Sequence, residues 1–377
     1  MRQANNNFFA QLISSLVIAC ICSLFLSQSL SNLIIKPLVF DGTLSRLGRY
    51  GFVYEAWDTI GENEDDFSIV AVGSSLTQYG INGSCMSLAD DIGESITYNL
   101  GIPGSYPYLD MLQVERALSS NPKLVLLEVN PISLSRVSDI SENNIQLRLT
   151  LASLFLERQE YGPWVDLLQS NHLDYLDYDL DKQFNSESIF FQKSFEELLI
   201  RYKNNNSEEN WWVNEHHWYL GVPNPNSPEW EDYLVEPTWL SNYIANLGPE
   251  ELSDYENETI PSQMSRSRYK PDLESNLNYQ ALEYIVSTLS ENDIPVLLIS
   301  YPIHPYGNNN LLPGQLDQHN VSLSTLAAHS GVNSVNYIWD ENWDKEDFYD
   351  FEHLNSHGRL KMCDLLTTEI ISLIRNG

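Results

Sequence analysis

Positive charge is scarce in this chain: 20 Lys and Arg stand against 52 Asp and Glu in 377 residues, a formal net charge of −32. Such a field repels phosphate backbones, so no nucleic-acid partner is expected. It also opposes close approach to anionic lipid except through an anchor. Cysteine is sparse too. Of the four, Cys20 and Cys22 fall in an apolar segment. Cys85 and Cys363 stand in the body without CxxC or zinc-type spacing. These two either pair or stay as buried thiols, and free thiols are the expectation. H-E-x-x-H and G-x-S-x-G are both missing, which removes the zincin and α/β-hydrolase-elbow readings. No internal repeat is present, so a repeat architecture falls away as well.

What the chain does contain is apolar substance, 42% of its residues, with 11% aromatic, enough to bury a sizeable core. The first block of it is local. From Phe8 to Ile35 there is no charged residue, a stretch longer than the roughly 20 residues a bilayer requires. We expect an N-terminal transmembrane anchor or signal segment over 1–40. A lipoprotein-type box, Val17-Ile18-Ala19-Cys20, is the rival, although apolar residues continue past it. Lys36, Arg46 and Arg49 follow the span and only Arg2 precedes it. Charge counting alone would therefore place the body in the cytoplasm.

The body, 41–377, carries five apolar, β-branched-rich runs that read as strands: Phe67–Val72, Ser95–Asn99, Leu124–Val129, Pro295–Ser300 and Val335–Ile338. Helical patterns at Asp110–Ser119, Asn276–Glu291 and Asn355–Arg375 alternate with them. This order predicts a parallel sheet covered by helices on both faces, with ligands at the C-terminal strand ends. Residues 132–275 are too long for one crossover. They read as an inserted cap, with helical periodicity at Ile145–Gln159 and Ser188–Tyr202. Trp211, Trp212, Trp218, Trp230 and Trp239 lie in this insertion, and such a cluster serves more readily as the core of a loop-rich segment than as a sugar platform.

Chemistry-bearing residues gather at the predicted strand ends. Gly73-Ser74-Ser75-Leu76-Thr77 closes the first run and exposes Ser75 at the head of the next segment. Asn99-Leu100-Gly101-Ile102-Pro103-Gly104 closes the second, and Gly104 offers a backbone N–H without a side chain in the way. Glu128-Val129-Asn130-Pro131 closes the third, with an amide at Asn130. Near the C-terminus, Asp350 and His353 stand three apart, so the carboxylate can hold one imidazole nitrogen and leave the other as a base. A serine with such a base is the arrangement of nucleophilic acyl chemistry. His357, four residues after His353, raises a metal reading with Asp350, but the spacing lacks the adjacent glutamate that such sites use. His304 reads as a packed loop histidine.

Taken in order, these blocks resemble the SGNH (GDSL-like) hydrolase superfamily, especially its membrane-anchored branch of cell-surface O-acyltransferases similar to the DltD and alginate-acetylation proteins. Ser74 stands where the family's first block has aspartate, and Glu128-Val129-Asn130-Pro131 lacks the glycine and aspartate of its third. The resemblance spans roughly 67–131 and 276–375. It implies a three-layer α/β/α, flavodoxin-like parallel sheet interrupted by the insertion. It further implies a Ser75-His353-Asp350 triad, an oxyanion hole from Ser75, Gly104 and Asn130, and neither metal nor cofactor. The implied substrate is an acylated glycan or another cell-surface ester, attacked by hydrolysis or by acyl transfer fed by an acyl-donor membrane partner. The implied location is a membrane-anchored body outside the cytoplasm. A non-catalytic glycan-binding surface protein is the alternative.

Overall fold

The apolar runs assemble into a single parallel sheet. In a computed structural model the described residues are 53–62, 67–83, 86, 95–135, 156, 160–171, 247–265 and 272–376, a few isolated positions within them apart. In chain order the elements that position the site are β1 (Phe67–Val72), α1 (Ser75–Gly80), β2 (Ser95–Asn99) and α2 (Val114–Ser120). Then come β3 (Leu124–Glu128), α3 (Leu277–Glu291), β4 (Val296–Ser300), α4 (Gln315–Leu326), β5 (Val332–Asn336) and α5 (Ser356–Asn376). The strand order is β2-β1-β3-β4-β5, every pair parallel, consistent with a flavodoxin-like layout.

Side-chain alternation divides the strands between two cores. Ile69, Ala71, Leu124, Leu126, Leu297 and Ile299 join one with Met362, Leu366 and Ile370 of α5. Val70, Val72, Val125, Leu127, Val296 and Leu298 join the other with Leu282, Ile285 and Leu289 of α3 and Leu326 of α4. Because both faces are covered, the central strands are largely apolar rather than alternating with polar residues.

Boundaries shift where local chemistry outweighs apolarity. Asn276 is a cap outside its helix, its side chain accepting from the Asn278 and Tyr279 N–H groups. Asn355 likewise precedes α5 and accepts from Gly358 N–H at 3.0 Å. The helix expected at Asp110–Ser119 begins earlier, at Pro107, and passes through a 3₁₀ turn at Met111–Gln113 before α2. The last strand lies at Val332–Asn336, not Val335–Ile338. It is an edge strand with only Val332 buried, so hydrophobicity marks its register poorly. Pairing of Val332 with Val296 and Val335 with Ile299 sets that register instead.

Described parts of the 132–275 insertion join both cores: Trp164 and Leu168 one, Tyr255 and Ile260 the other. The periodic stretches Ile145–Gln159 and Ser188–Tyr202, apart from Leu156, lie outside the described residues, as does the tryptophan-rich segment. Among the described residues no helix is long and apolar enough to cross a membrane, and Phe8–Ile35 lies outside them. Cys363 on α5 is buried and disulfide-bonded, which overturns the expectation of a free thiol there. Spacing along a chain says little about which sulfurs meet in space.

Candidate active site

Ser75 opens α1 directly beyond the C-terminal end of β1, with Ser74 as the N-cap. Here the chain runs from β1 to β2 on one side and onward to β3 on the other, so β1 stands at the switch point of the sheet. The loop after β2 and the end of β3 therefore flank the serine. Backbone bonds from Leu100 N–H to the Ala71 carbonyl and from Ile102 N–H to the Gly73 carbonyl, both 2.8 Å, bind the second loop to the serine turn. A β-carbon at Gly101 would lie 2.7 Å from the Gln78 nitrogen, so only glycine permits this approach. Asn99 Nδ2 reaches the Thr77, Gln78 and Ile81 carbonyls at 3.2, 3.1 and 2.9 Å and ties the end of α1 to β2.

The loop carrying the histidine is equally constrained. An antiparallel bridge between Phe348 and Leu354 closes it, and Tyr349 N–H bonds the His353 carbonyl at 2.8 Å. At its tip Asp350 Oδ1 accepts from the backbone N–H groups of Glu352 and His353 at 2.9 and 2.8 Å. This turn aims Oδ2 at His353 Nδ1, 2.7 Å away. Across the cleft, His353 Nε2 lies 2.8 Å from Ser75 Oγ, a contact between residues 278 apart in sequence. The Tyr79 ring packs on the imidazole with centroids 4.6 Å apart. Tyr255, from the insertion, receives Phe351 N–H at 3.1 Å and braces the loop from behind.

Burial would lower the His353 pKa, but the charge and hydrogen bond of Asp350, aided by Glu352 and Glu128, lift it to about 9. For Asp350 burial pushes upward, and His353 together with the two N–H donors holds the carboxyl below its usual range. With side-chain exposures of 16% and 21%, the two are reachable from solvent but mostly enclosed.

Beside this chain lies a cleft of about 40 Å³, lined among others by Ser75, Gly104, Ser105, Tyr106, Ile132 and Glu352. Gly104 has φ +67° and is exposed, so its backbone turns outward into a region L side chains disfavour. The amide hydrogens of Ser75 and Gly104 find no acceptor among the described residues, which leaves both for a ligand. Asn130 is placed differently. It is fully buried and does not line the cleft; its Oδ1 accepts from Ile132 N–H at 2.9 Å, and its Nδ2 has no partner among the described residues.

His357 does not join Asp350. Its Nδ1 lies 2.8 Å from Asp347, a fully buried carboxylate that also receives Lys361 at 2.7 Å. Among the described residues no cluster of His, Cys, Asp and Glu is arranged to hold a metal. His304 is buried against Phe348 and Tyr306, and burial lowers its pKa to about 4 despite the charge of Asp350.

Sequence reasoning left Glu128 without a role. At the end of β3 it is buried, and Ser74 and Thr77 converge on its carboxylate. The one available signal was a carboxylate closing an otherwise apolar strand. Gly73 makes room for it. A β-carbon there would lie 2.3 Å from Thr77 Oγ1 and 2.5 Å from Glu128 Cβ, at a φ of +157°. Gly73→Ala is therefore expected to destabilise the fold by about 2–4 kcal/mol. Thermal unfolding measures this, and a melting temperature equal to wild type would contradict the packing described.

Compared with known protein families, the chain matches no family model, and it matches no curated protein.

Proposed function

We propose that this protein is a serine-dependent ester hydrolase or O-acyltransferase of SGNH type, with Ser75 as nucleophile, His353 as base and Asp350 as its orienting carboxylate. The observation that carries the reading is the continuous hydrogen-bonded chain from Ser75 Oγ through both nitrogens of His353 to Asp350. With Nδ1–H donated to Asp350, neutral His353 presents a lone pair on Nε2 to the serine hydroxyl. Ser75 Oγ attacks the ester carbonyl carbon as its proton passes to Nε2. The carbonyl electrons move onto oxygen, and the amide N–H groups of Ser75 and Gly104 donate hydrogen bonds to the oxyanion. Collapse expels the alcohol, which takes the proton from His353 and leaves an acyl-serine. Water or a sugar hydroxyl repeats the sequence in reverse and frees the acid or the transferred ester. The oxyanion reading rests on Ser75 and Gly104; Asn130 is not needed for it.

The size of the cleft points to a short acyl group. A single water requires roughly 10–15 Å³ of comparable space, so about 40 Å³ admits a group of a few heavy atoms. The acidic surface favours neutral or cationic acceptors over polyanions. The parallel sheet with cores on both faces supports the three-layer SGNH layout with 132–275 as its inserted cap. The apolar segment Phe8–Ile35 and the disulfide at Cys363 support an anchored body on the oxidising side of a membrane, and a membrane partner that supplies the acyl group fits this location.

A fluorophosphonate probe tests the proposal directly. Incubated with folded protein above pH 8, it is expected to add to Ser75, seen as a mass shift on the peptide that contains it. Folded protein that stays unlabelled there, yet retains affinity for glycans, would replace the enzyme with a binding protein.

A further inference from the structure

Glu128 takes no part in the proposed relay, yet four donors converge on its carboxylate. Ser74 N–H and O–H lie at 2.7 and 2.8 Å, Thr77 O–H at 2.9 Å and Thr77 N–H at 3.3 Å. Ser74 Oγ accepts from Leu76 N–H at 3.2 Å, so its own proton is directed at Glu128. A carboxylate only 3% exposed at the end of an apolar strand is costly to bury unless such donors surround it. The residues Glu128 grips, 74 and 77, bracket Ser75 on its turn.

We infer that Glu128 is a positioning residue for the nucleophile: its carboxylate clamps the 74–77 turn so that Ser75 holds its hydroxyl toward His353 and its N–H toward the cleft. The inference rests on the serine-enzyme reading above. It also assigns the clamp a second effect, because a buried negative charge on β3 favours the protonated imidazole. The other groups facing His353 are Asp350 and Glu352 on its own loop and Tyr79 on α1. Burial holds the Glu128 carboxyl above the usual carboxylate range, and its donors from Ser74 and Thr77 offset that only in part.

Glu128→Gln keeps the volume and removes the charge. In the full chain we expect kcat for an aryl acetate to fall on the order of 10–100-fold with KM unchanged, the penalty of a misplaced nucleophile. The His353 titration, followed by NMR, should move to lower pH. Thr77→Val, which removes one donor and leaves the carboxylate, should lower kcat in the same sense without moving that titration so far. If Glu128→Gln does not fold, a kcat for Thr77→Val equal to wild type overturns the clamp and a lowered one supports it. Wild-type kcat and an unmoved titration in folded Glu128→Gln also overturn it, while leaving the enzyme reading intact if Ser75 still takes the fluorophosphonate. Wild-type protein that takes no probe removes the enzyme reading. The clamp, which positions a nucleophile, is overturned with it, so an unlabelled wild type and a labelled Glu128→Gln of wild-type kcat tell the two failures apart.

Discussion

Replacing Ser75 by alanine is expected to lower kcat for an aryl acetate on the order of 10⁴-fold or more, while KM and thermal stability stay at their wild-type values. Among the described residues the Ser75 hydroxyl hydrogen-bonds to His353 alone, so its removal leaves the packing of α1 untouched. What disappears is the covalent route. A serine hydroxyl is unreactive until a base takes its proton, and a base without a nucleophile can only assist water. His353→Ala should therefore cost about as much as Ser75→Ala. The double variant should cost scarcely more than either, because the two act as one unit. Steady-state kinetics on the three variants decide this. Independent, multiplying losses would mean that Ser75 and His353 do not serve a common step.

The second large effect is expected at Asp350. On the proposed mechanism His353 acts as a base only when neutral, and its pKa is lifted to about 9. Consequently kcat/KM should rise with pH and reach half its plateau near 9 in the free enzyme. Asp350→Asn removes the foremost group that lifts the imidazole, so the midpoint should fall. Activity should fall as well, by roughly 10³–10⁴-fold. An amide NH₂ facing Nδ1 favours the tautomer with hydrogen on Nε2, which points a proton at Ser75 where a lone pair is needed. A pH–rate profile of Asp350→Asn that overlays the wild type would show that Asp350 does not govern the base.

Stability carries the opposite sign. His353 titrates higher in the fold than in the unfolded chain, so its pairing stabilises the protein fully below about 6.5 and is lost as pH rises through about 9. The neutral imidazole that the proposed mechanism requires is thus drawn from the pH range where this pair supports the fold least. Asp350 behaves conversely: its contribution is present above the ordinary aspartate range and is lost as pH falls through its depressed value.

Much of the sheet was legible because a strand buried on both faces must be apolar at nearly every position. Phe67–Val72 and Ser95–Asn99 are recovered residue for residue, and the third and fourth runs to within one residue. The edge strand β5 was not, since Asn333, Ser334 and Asn336 are exposed and its register is held by backbone pairing with β4. In the site, Asp350 and His353 were visible as a pair because their geometry is local, a single turn three residues long. Glu128 was not, because its partners lie more than 50 positions away and only the adjacency of β1 and β3 brings them to it.

By itself the amino-acid sequence determined four of the five strand segments, which side chains could carry chemistry, and a strongly negative net charge. Periodicity and composition suffice for these, because each depends on neighbours along the chain or on a sum over it. Only the tertiary structure decided that Ser75 faces His353 from the far end of the chain, that Asn130 does not line the cleft, and that Cys363 is paired. Those outcomes depend on strand order and loop closure, which bring together groups that no local pattern relates.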